Sequence, residues 1–363
     1  MTIATFCNFT YMERRIQELD VLRVLAMLFV VTYHFGCEYA AAGIPFFNFF
    51  CTTANYDFGN VAVTLFIVLS GGLLYRKYGT VDGVLSNRES LKEFYLKRVK
   101  AIYPPFWILS LYIPLSMIRH LLAGDSPFFM GNPFKLLLTV VGFDGYVQMF
   151  GIKTYVFCGD WFVGAIVLLY LLFPLLAWCY RKCPLVSLLA LAVLYGLQYL
   201  IPSEHDDVFS ILPVTIALKF CLGFFLVGNL ERLRNLRVAV PAIVVFLGLT
   251  FVNIPGRLNT DCLGSIAALS LFAVVFYAAP WLLRYRAVSA PVQRLALLSY
   301  CVFLVQHVAI IWTRTLFVKI FEWAQWPPSC WSSVVLLALT FAVIFVAAWI
   351  LKSVADRVVR FIA

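Results

Sequence analysis

The 363-residue sequence is 63% hydrophobic and 13% charged, a composition that excludes an ordinary soluble domain. Its apolar runs are too long and too numerous for anything except an integral membrane protein. A net charge of +10 would favour nucleic-acid binding in a soluble protein. In this chain the lysines and arginines cluster in short segments between apolar runs, a pattern that sets membrane orientation, so we expect no nucleic-acid partner.

Eleven apolar runs predict the helices of the chain. They lie at Val21–Ala41, Phe58–Tyr78, Ile102–Leu122, Phe134–Phe150, Trp161–Tyr180, Pro184–Ile201, Ile211–Leu230, Val238–Ile254, Cys262–Leu283, Leu295–Phe317 and Trp331–Leu351. Six basic clusters separate them. The clusters are Arg14/Arg15, the segment from Arg76 to Lys100, Arg181/Lys182, Arg232/Arg234/Arg237, Arg284/Arg286/Arg294 and Lys352/Arg357/Arg360.

The basic clusters decide which runs cross the membrane. If all six are cytoplasmic, an even number of crossings separates each neighbouring pair, so one of the three runs between Lys100 and Arg181 does not cross. The weakest is Phe134–Phe150, which is short and interrupted by Gly142, Asp144 and Gly145. We therefore expect an all-α, polytopic membrane helical bundle with about ten transmembrane helices and one re-entrant or interfacial helix. It forms a single domain over residues 1–363 of a cell (plasma or inner) membrane protein, with both termini cytoplasmic.

The first apolar run contains two ionisable residues, Arg23 and His34, within the segment Leu19–Phe35. Eleven residues of helix make about three turns and roughly 16 Å of rise, so both side chains fall on nearly the same face. Ionisable residues within a span usually face the bundle interior or a wet cavity, and Lys219 is another. The pair predicts a polar path. The alternative is that Arg23 snorkels to the headgroups and His34 makes a helix–helix hydrogen bond, while Asp20 either pairs with Arg23 or caps the helix.

Five segments, in the same order along the chain, resemble the acyltransferase 3 family. They are LDVLRVLAMLFVVTYH (Leu19–His34), GNVAVTLFIVLSGGLLYRKY (Gly59–Tyr78), FYLKRVKAIYPPFW (Phe94–Trp107), DWFVGAIVLLYLLFPLL (Asp160–Leu176) and LSYCVFLVQHVAII (Leu298–Ile311). The first, in which ten residues separate an arginine from a histidine, is the most specific. The resemblance implies a transferase that moves an acyl group, usually acetyl, from cytoplasmic acyl-CoA to a hydroxyl of a sugar or lipid-linked glycan.

The resemblance and the residue chemistry together assign roles on the donor side. His34 is the candidate general base, because an unperturbed imidazole titrates near neutral pH. Arg23 is the second catalytic candidate, suited to contact a phosphate or the thioester carbonyl. Arg98, Lys97 and Lys100 are candidates for acyl-CoA binding. The alternative for this cluster is a positive-inside anchor for anionic lipids.

This sequence departs from the family pattern at one position on the donor side. Ala101 stands where family members often carry a second basic residue.

The candidates for the acceptor side or for the cavity lining are Asp160, Trp161, His307, Arg314 and Ser70. Trp161 is suited to stacking on a sugar ring, or is only an interfacial belt residue. His307 and Arg314 share a helix face, where an interhelical contact is the alternative. Ser70 precedes two glycines, and close helix packing explains it better than nucleophilic catalysis.

Three functions follow from these patterns. The first is a membrane O-acyltransferase, and more narrowly an O-acetyltransferase, that uses acetyl-CoA as donor substrate and a cell-envelope carbohydrate or glycolipid as acceptor, in contact with membrane lipids. The sequence ends shortly after its last run, so we expect donor and acceptor to meet within the bundle. The second is a secondary transporter, although no paired Gly/Pro-broken spans occur in corresponding halves. The third is a non-catalytic membrane partner.

The ten cysteines lack metal-ligand spacing, so we expect no metal site and no tightly bound cofactor.

Overall fold

The computed structural model describes residues 15–79, 87–155, 160–200, 206–255 and 259–362, and Arg14 lies outside these ranges. Within them the chain is helical and forms no strand, apart from one isolated bridge between Thr52 and Asp57. In chain order the α-helices are α1 (Gln17–Ala41), α2 (Phe58–Tyr78), α3 (Arg88–Ser110), α4 (Tyr112–Leu122), α5 (Leu136–Val141), α6 (Asp144–Gln148), α7 (Asp160–Lys182), α8 (Pro184–Gln198), α9 (Asp206–Phe209), α10 (Pro213–Gly228), α11 (Leu230–Leu233), α12 (Leu236–Phe251), α13 (Thr260–Leu282), α14 (Arg286–Ala324) and α15 (Cys330–Ile362).

Seven helical segments in the described ranges are long and apolar enough to cross a bilayer: α1, α2, α3 with α4, α7, α13, α14 and α15. Three shorter apolar helices, α8, α10 and α12, have 15 or 16 residues. Helices of that length rise about 22–24 Å, less than the roughly 30 Å of a bilayer core. The prediction of an all-α polytopic membrane bundle is confirmed. The crossing of the three shorter helices stays a prediction.

The run Phe134–Phe150 does not form one helix. It contains α5 and α6, with six and five residues, and Gly142 ends α5 in the left-handed conformation at φ 77°. Both pieces are far shorter than the about 20 residues that a crossing requires. The α6 helix packs on α7, where Gly164 leaves room for Tyr146, whose hydroxyl donates to the Ile211 carbonyl at 2.8 Å. The predicted non-crossing segment is therefore packed against the bundle.

Helices α2 and α10 pack most closely, because glycines line their contact. A Cβ atom at Gly71 would overlap the carbonyl oxygen of Phe220, and one at Gly72 would lie 2.6 Å from the carbonyl oxygen of Gly223. Such small residues let helix backbones approach within a membrane. Much of α10 is buried by neighbouring helices, so bilayer thickness need not set its length.

We expect Gly71→Ala to destabilise the protein, because the added methyl group meets backbone that cannot move aside easily. Overpacking of this kind costs about 1–3 kcal/mol. The melting temperature of the purified protein in detergent measures the effect. Gly196→Ala on α8 is the matched control, since among the described residues no atom beyond its chain neighbours and its own helix backbone lies within 4 Å of the added Cβ. Equal melting temperatures for the two variants would contradict the packing account.

The orientation predicted from the basic clusters can be tested by cysteine labelling. We expect Ala42→Cys and Asn253→Cys to react with an impermeant maleimide outside intact cells, in a background without native cysteines. Ala287→Cys should react only after permeabilisation, because it adjoins a basic cluster. All three positions are exposed. If the segment Phe134–Phe150 crossed the membrane, Ala42 and Asn253 would label from opposite sides.

Candidate active site

The bundle encloses two neighbouring cavities that differ in the charge of their walls. The histidine cavity, of about 430 Å³, is lined by His34 and His307 together with polar residues. The basic cavity, of about 340 Å³, is lined by three cations, Arg23, Lys77 and Arg98, by hydroxyl-bearing side chains such as Ser70, and by apolar side chains. Among the described residues, no acidic residue lines the basic cavity.

The two histidines come together because α1 packs beside α14. The ring centroids of His34 and His307 lie 4.2 Å apart, with their planes tilted by 52°. Both rings are half-buried and line the cavity. The sequence singled out each histidine, but nothing in it indicated that the two would be neighbours. The structure therefore supplies a pair of imidazoles where one base was expected.

A buried ion pair forms another part of the histidine cavity. Lys219 Nζ lies 2.5 Å from Asp261 Oδ1, and their side chains are only 4% and 3% exposed. The Asn60 side-chain amide donates to Asp261 Oδ1 at 3.2 Å, and the Tyr195 hydroxyl donates to Oδ2 at 3.0 Å. Buried charges are stable only when they are paired and hydrogen-bonded, and this carboxylate is both. Lys219 was noticed in the sequence as an intramembrane charge; its partners were not.

The start of α2 contributes a second carboxylate to the wall. Asp57 caps this helix, because its Oδ1 accepts a hydrogen bond from the Asn60 backbone N–H at 2.6 Å. Burial raises the pKa of the Asp57 carboxyl, and backbone hydrogen bonds from Asn60 and Gly59 act in the opposite direction. Gly59 allows close approach, since a Cβ there would lie 2.6 Å from Tyr33 Cδ1. The wall thus presents hydrogen-bonding oxygen atoms beside aromatic surface.

Trp161 lies where α7 begins, and its half-buried ring lines the histidine cavity. The neighbouring residue Phe162 lines both cavities. Asp160 is the first residue of α7, and its side chain lies outside the described part of the chain.

Arg23 is paired with Asp20 at the basic cavity. Its Nη1 donates to Asp20 Oδ1 at 2.9 Å, and Arg15 Nε donates to Asp20 Oδ2 at 2.6 Å. The N-cap position of α1 is Ile16, so Asp20 pairs with the arginines and does not cap the helix. Two guanidinium groups satisfy this buried carboxylate, and Arg23 remains 32% exposed at the cavity.

Arg98 is held over two aromatic rings. Its guanidinium lies 5.9 Å from the ring centroid of Phe94 and 5.7 Å from that of Tyr170, within cation–π range. Its Nε is buried and has no hydrogen-bond partner within the described ranges, and the same holds for the Tyr78 hydroxyl at this cavity. A buried donor without a partner costs about 1–3 kcal/mol, so an acceptor oxygen of a ligand would stabilise both groups.

The other donor-side candidates lie off the cavity. Lys97 and Lys100 are exposed, and Lys97 pairs with Glu93 one turn earlier on α3. Lys77, at the end of α2, lines the basic cavity instead. The sequence indicated Lys77 only as a member of its basic cluster. The available signal was its position four residues after Leu73, on the same face of the helix.

Two of the candidates for the acceptor side or the cavity lining, Ser70 and Arg314, lie away from the histidine cavity. Ser70 lines the basic cavity, where its Oγ is 2.9 Å from the Tyr170 hydroxyl, because α2 has by then run toward the basic end of the bundle. Arg314 lines neither cavity, since it pairs with Glu38 of α1 at 2.5 Å. This contact is the interhelical alternative considered for Arg314, and it joins the two helices that carry His34 and His307.

A family model described as an acyltransferase domain, acyltransferase 3, matches residues 16–352. The chain belongs to the acyltransferase 3 family. The resemblance seen in the five segments is thereby confirmed, and so is the class of activity, acyl transfer by a membrane protein. No curated protein and no solved structure matches the chain. Both cavities of this acyltransferase lie between helices of the matched region.

Proposed function

We propose that this acyltransferase moves an acyl group, acetyl in its natural reaction, from acyl-CoA in the basic cavity to a hydroxyl in the histidine cavity. The acceptor is a cell-envelope carbohydrate or glycolipid. The observation that carries the proposal is the pairing of two adjoining cavities, one lined by three cations and the other by His34 and His307. The family assignment leaves the transporter alternative without support.

The chemistry of the basic cavity suits the phosphate groups of coenzyme A. Guanidinium and ammonium groups are the side-chain groups that bind phosphate best. Arg98 Nε is a buried donor without a hydrogen-bond acceptor among the described residues, and a phosphate oxygen would supply one. Deeper in, the wall becomes apolar with Phe66, Leu69 and Ile166. An uncharged arm that carries the thioester fits that wall.

His34 acts as general base in the proposed reaction. It accepts the proton of the acceptor hydroxyl while the hydroxyl oxygen forms the new C–O bond to the thioester carbonyl carbon. The C–S bond then breaks, and coenzyme A leaves as a thiolate that takes up the proton to give the free thiol. The His307 ring packs against the His34 ring, with the ring centroids 4.2 Å apart. No oxidant, reductant or metal enters the balance.

The walls of the histidine cavity support a polyhydroxylated acceptor. Trp161 offers an aromatic face for the apolar side of a sugar ring, while Asp57 and Asn60 supply hydrogen-bonding groups for its hydroxyls. The Lys219–Asp261 pair neutralises itself, so the cavity does not require a charged acceptor.

We expect cells that lack this protein to lose an acyl ester from an envelope glycan, a change that mass spectrometry of the released glycans detects. The wild-type protein should restore the ester, whereas His34→Ala should lower it by at least about 100-fold, because the reaction loses its base. His120→Ala is the matched control, since His120 lines neither cavity. Membrane levels and melting temperatures show that the variants are folded. Full restoration by a stable His34→Ala protein would remove His34 from the mechanism.

Arg98→Ala should raise the KM for acyl-CoA by about 10- to 100-fold, since hydrogen bonds to charged groups contribute roughly 1.5–3 kcal/mol. The KM for the acceptor should stay near its wild-type value, because the basic cavity is the donor side. Release of free coenzyme A thiol measures both constants. Lys92→Ala is the control: it is an exposed cation on the same helix. An unchanged KM for acyl-CoA would favour the lipid-anchor role for this cluster.

A further inference from the structure

Phe162 stands between the two cavities. It is only 8% exposed, and its side chain lines the basic cavity on one side and the histidine cavity on the other. Any group that passes between the cavities at this point must pass this ring.

Two further phenylalanines, Phe66 and Phe303, join Phe162 in the wall between the two cavities, which we call the partition. The ring of Phe66, from α2, lines the basic cavity and lies 6.0 Å from the ring of Phe162. The ring of Phe303, from α14, lines the histidine cavity and lies 4.8 Å from it on the other side. Three rings from three helices therefore stand in sequence from the donor side to the acceptor side, with Phe162 at the centre.

This placement limits the space for an acyl chain. On the proposed function, the phosphates are held near Arg98 and the thioester carbonyl must come within reach of a hydroxyl at His34. The chain beyond that carbonyl then has two places to go: the volume of the Phe162 ring, or the part of the histidine cavity that the acceptor needs. Protein interiors are close-packed, so each added methylene is costly at such a point.

We propose that Phe162 sets the acyl-chain length and restricts this acyltransferase to short acyl groups of two or three carbons. The inference rests on the proposed function, because it takes the donor to enter from the basic cavity. Phe162 is a specificity-determining residue in this account, since its ring contacts the acyl group without taking part in proton transfer.

The test measures kcat/KM for acetyl-, propionyl-, butyryl- and hexanoyl-CoA with the wild type and with Phe162→Ala, Phe162→Leu and Phe162→Trp. We expect the wild type to lose about 10-fold or more per methylene beyond propionyl. Phe162→Ala should raise the hexanoyl-to-acetyl ratio by at least about 10-fold, and Phe162→Leu by less. Phe162→Trp should lower the propionyl-to-acetyl ratio, because the larger ring leaves less room.

A binding measurement makes the test independent of turnover. Calorimetric titration with S-ethyl-CoA and S-hexyl-CoA, stable thioethers without the reactive carbonyl, should show the same change in preference for Phe162→Ala. Phe246→Ala is the control, because Phe246 is half-buried and lines neither cavity, and its chain-length ratios should equal those of the wild type.

The outcomes separate the two proposals. A wild-type protein that neither binds nor consumes any acyl-CoA overturns the proposed function, and this inference falls with it. A wild type that transfers acetyl while every Phe162 variant keeps the wild-type chain-length ratios overturns the inference alone. So does a wild type that uses hexanoyl-CoA as well as acetyl-CoA. If Phe162→Ala is unstable, the opposite shifts expected of the Leu and Trp variants decide the matter.

Discussion

The ion pair between Lys219 and Asp261 fixes the polar interior on which the histidine cavity depends. Removing two charges from water costs several kcal/mol per ion, and only close pairing with further hydrogen bonds offsets that cost. Here the additional donors are Asn60 on α2 and Tyr195 on α8, while the ions themselves lie on α10 and α13. One buried carboxylate thus joins four helices. Losing either ion would leave its partner buried and uncompensated, so these helices must keep their register.

The cavity exists because that group of helices faces a second pair of helices. The second pair is α1 and α14, held side by side by the contact of Arg314 with Glu38 and carrying His34 and His307. Apolar side chains supply little drive for helix association inside a membrane, where lipid is equally apolar. Polar contacts and the glycine-lined contact of α2 with α10 therefore specify the arrangement. The same contacts that stabilise the bundle also place the reactive groups.

Sequence reasoning predicted the parts of this protein that local patterns encode. The apolar runs indicated the helices, and helical periodicity placed Arg23 and His34 on one face, where each now lines a cavity. Contacts between distant helices depend on rotation and register that no local pattern contains. Asp261 was therefore not predicted, and His307, although a candidate, was not placed beside His34. For a related reason, the sequence left open which cavity Ser70 would line. Helix α2 rises about 15 Å between Asn60 and this serine, which carries it from one cavity to the other.

The spacing of Arg23 and His34 acquires a physical meaning from the two cavities. A phosphate cannot be carried deep into a low-dielectric interior without a prohibitive desolvation cost, so its binding groups must stay near one end of the bundle. The base must instead meet the acceptor beyond the partition at Phe162. About 16 Å of helix separates the two side chains, and only the uncharged, thioester-bearing arm of the donor needs to span it. On the proposed function, the spacing of Arg23 and His34 along α1 keeps the charged groups of the donor out of the membrane interior. The thioester end of the donor still reaches the histidines.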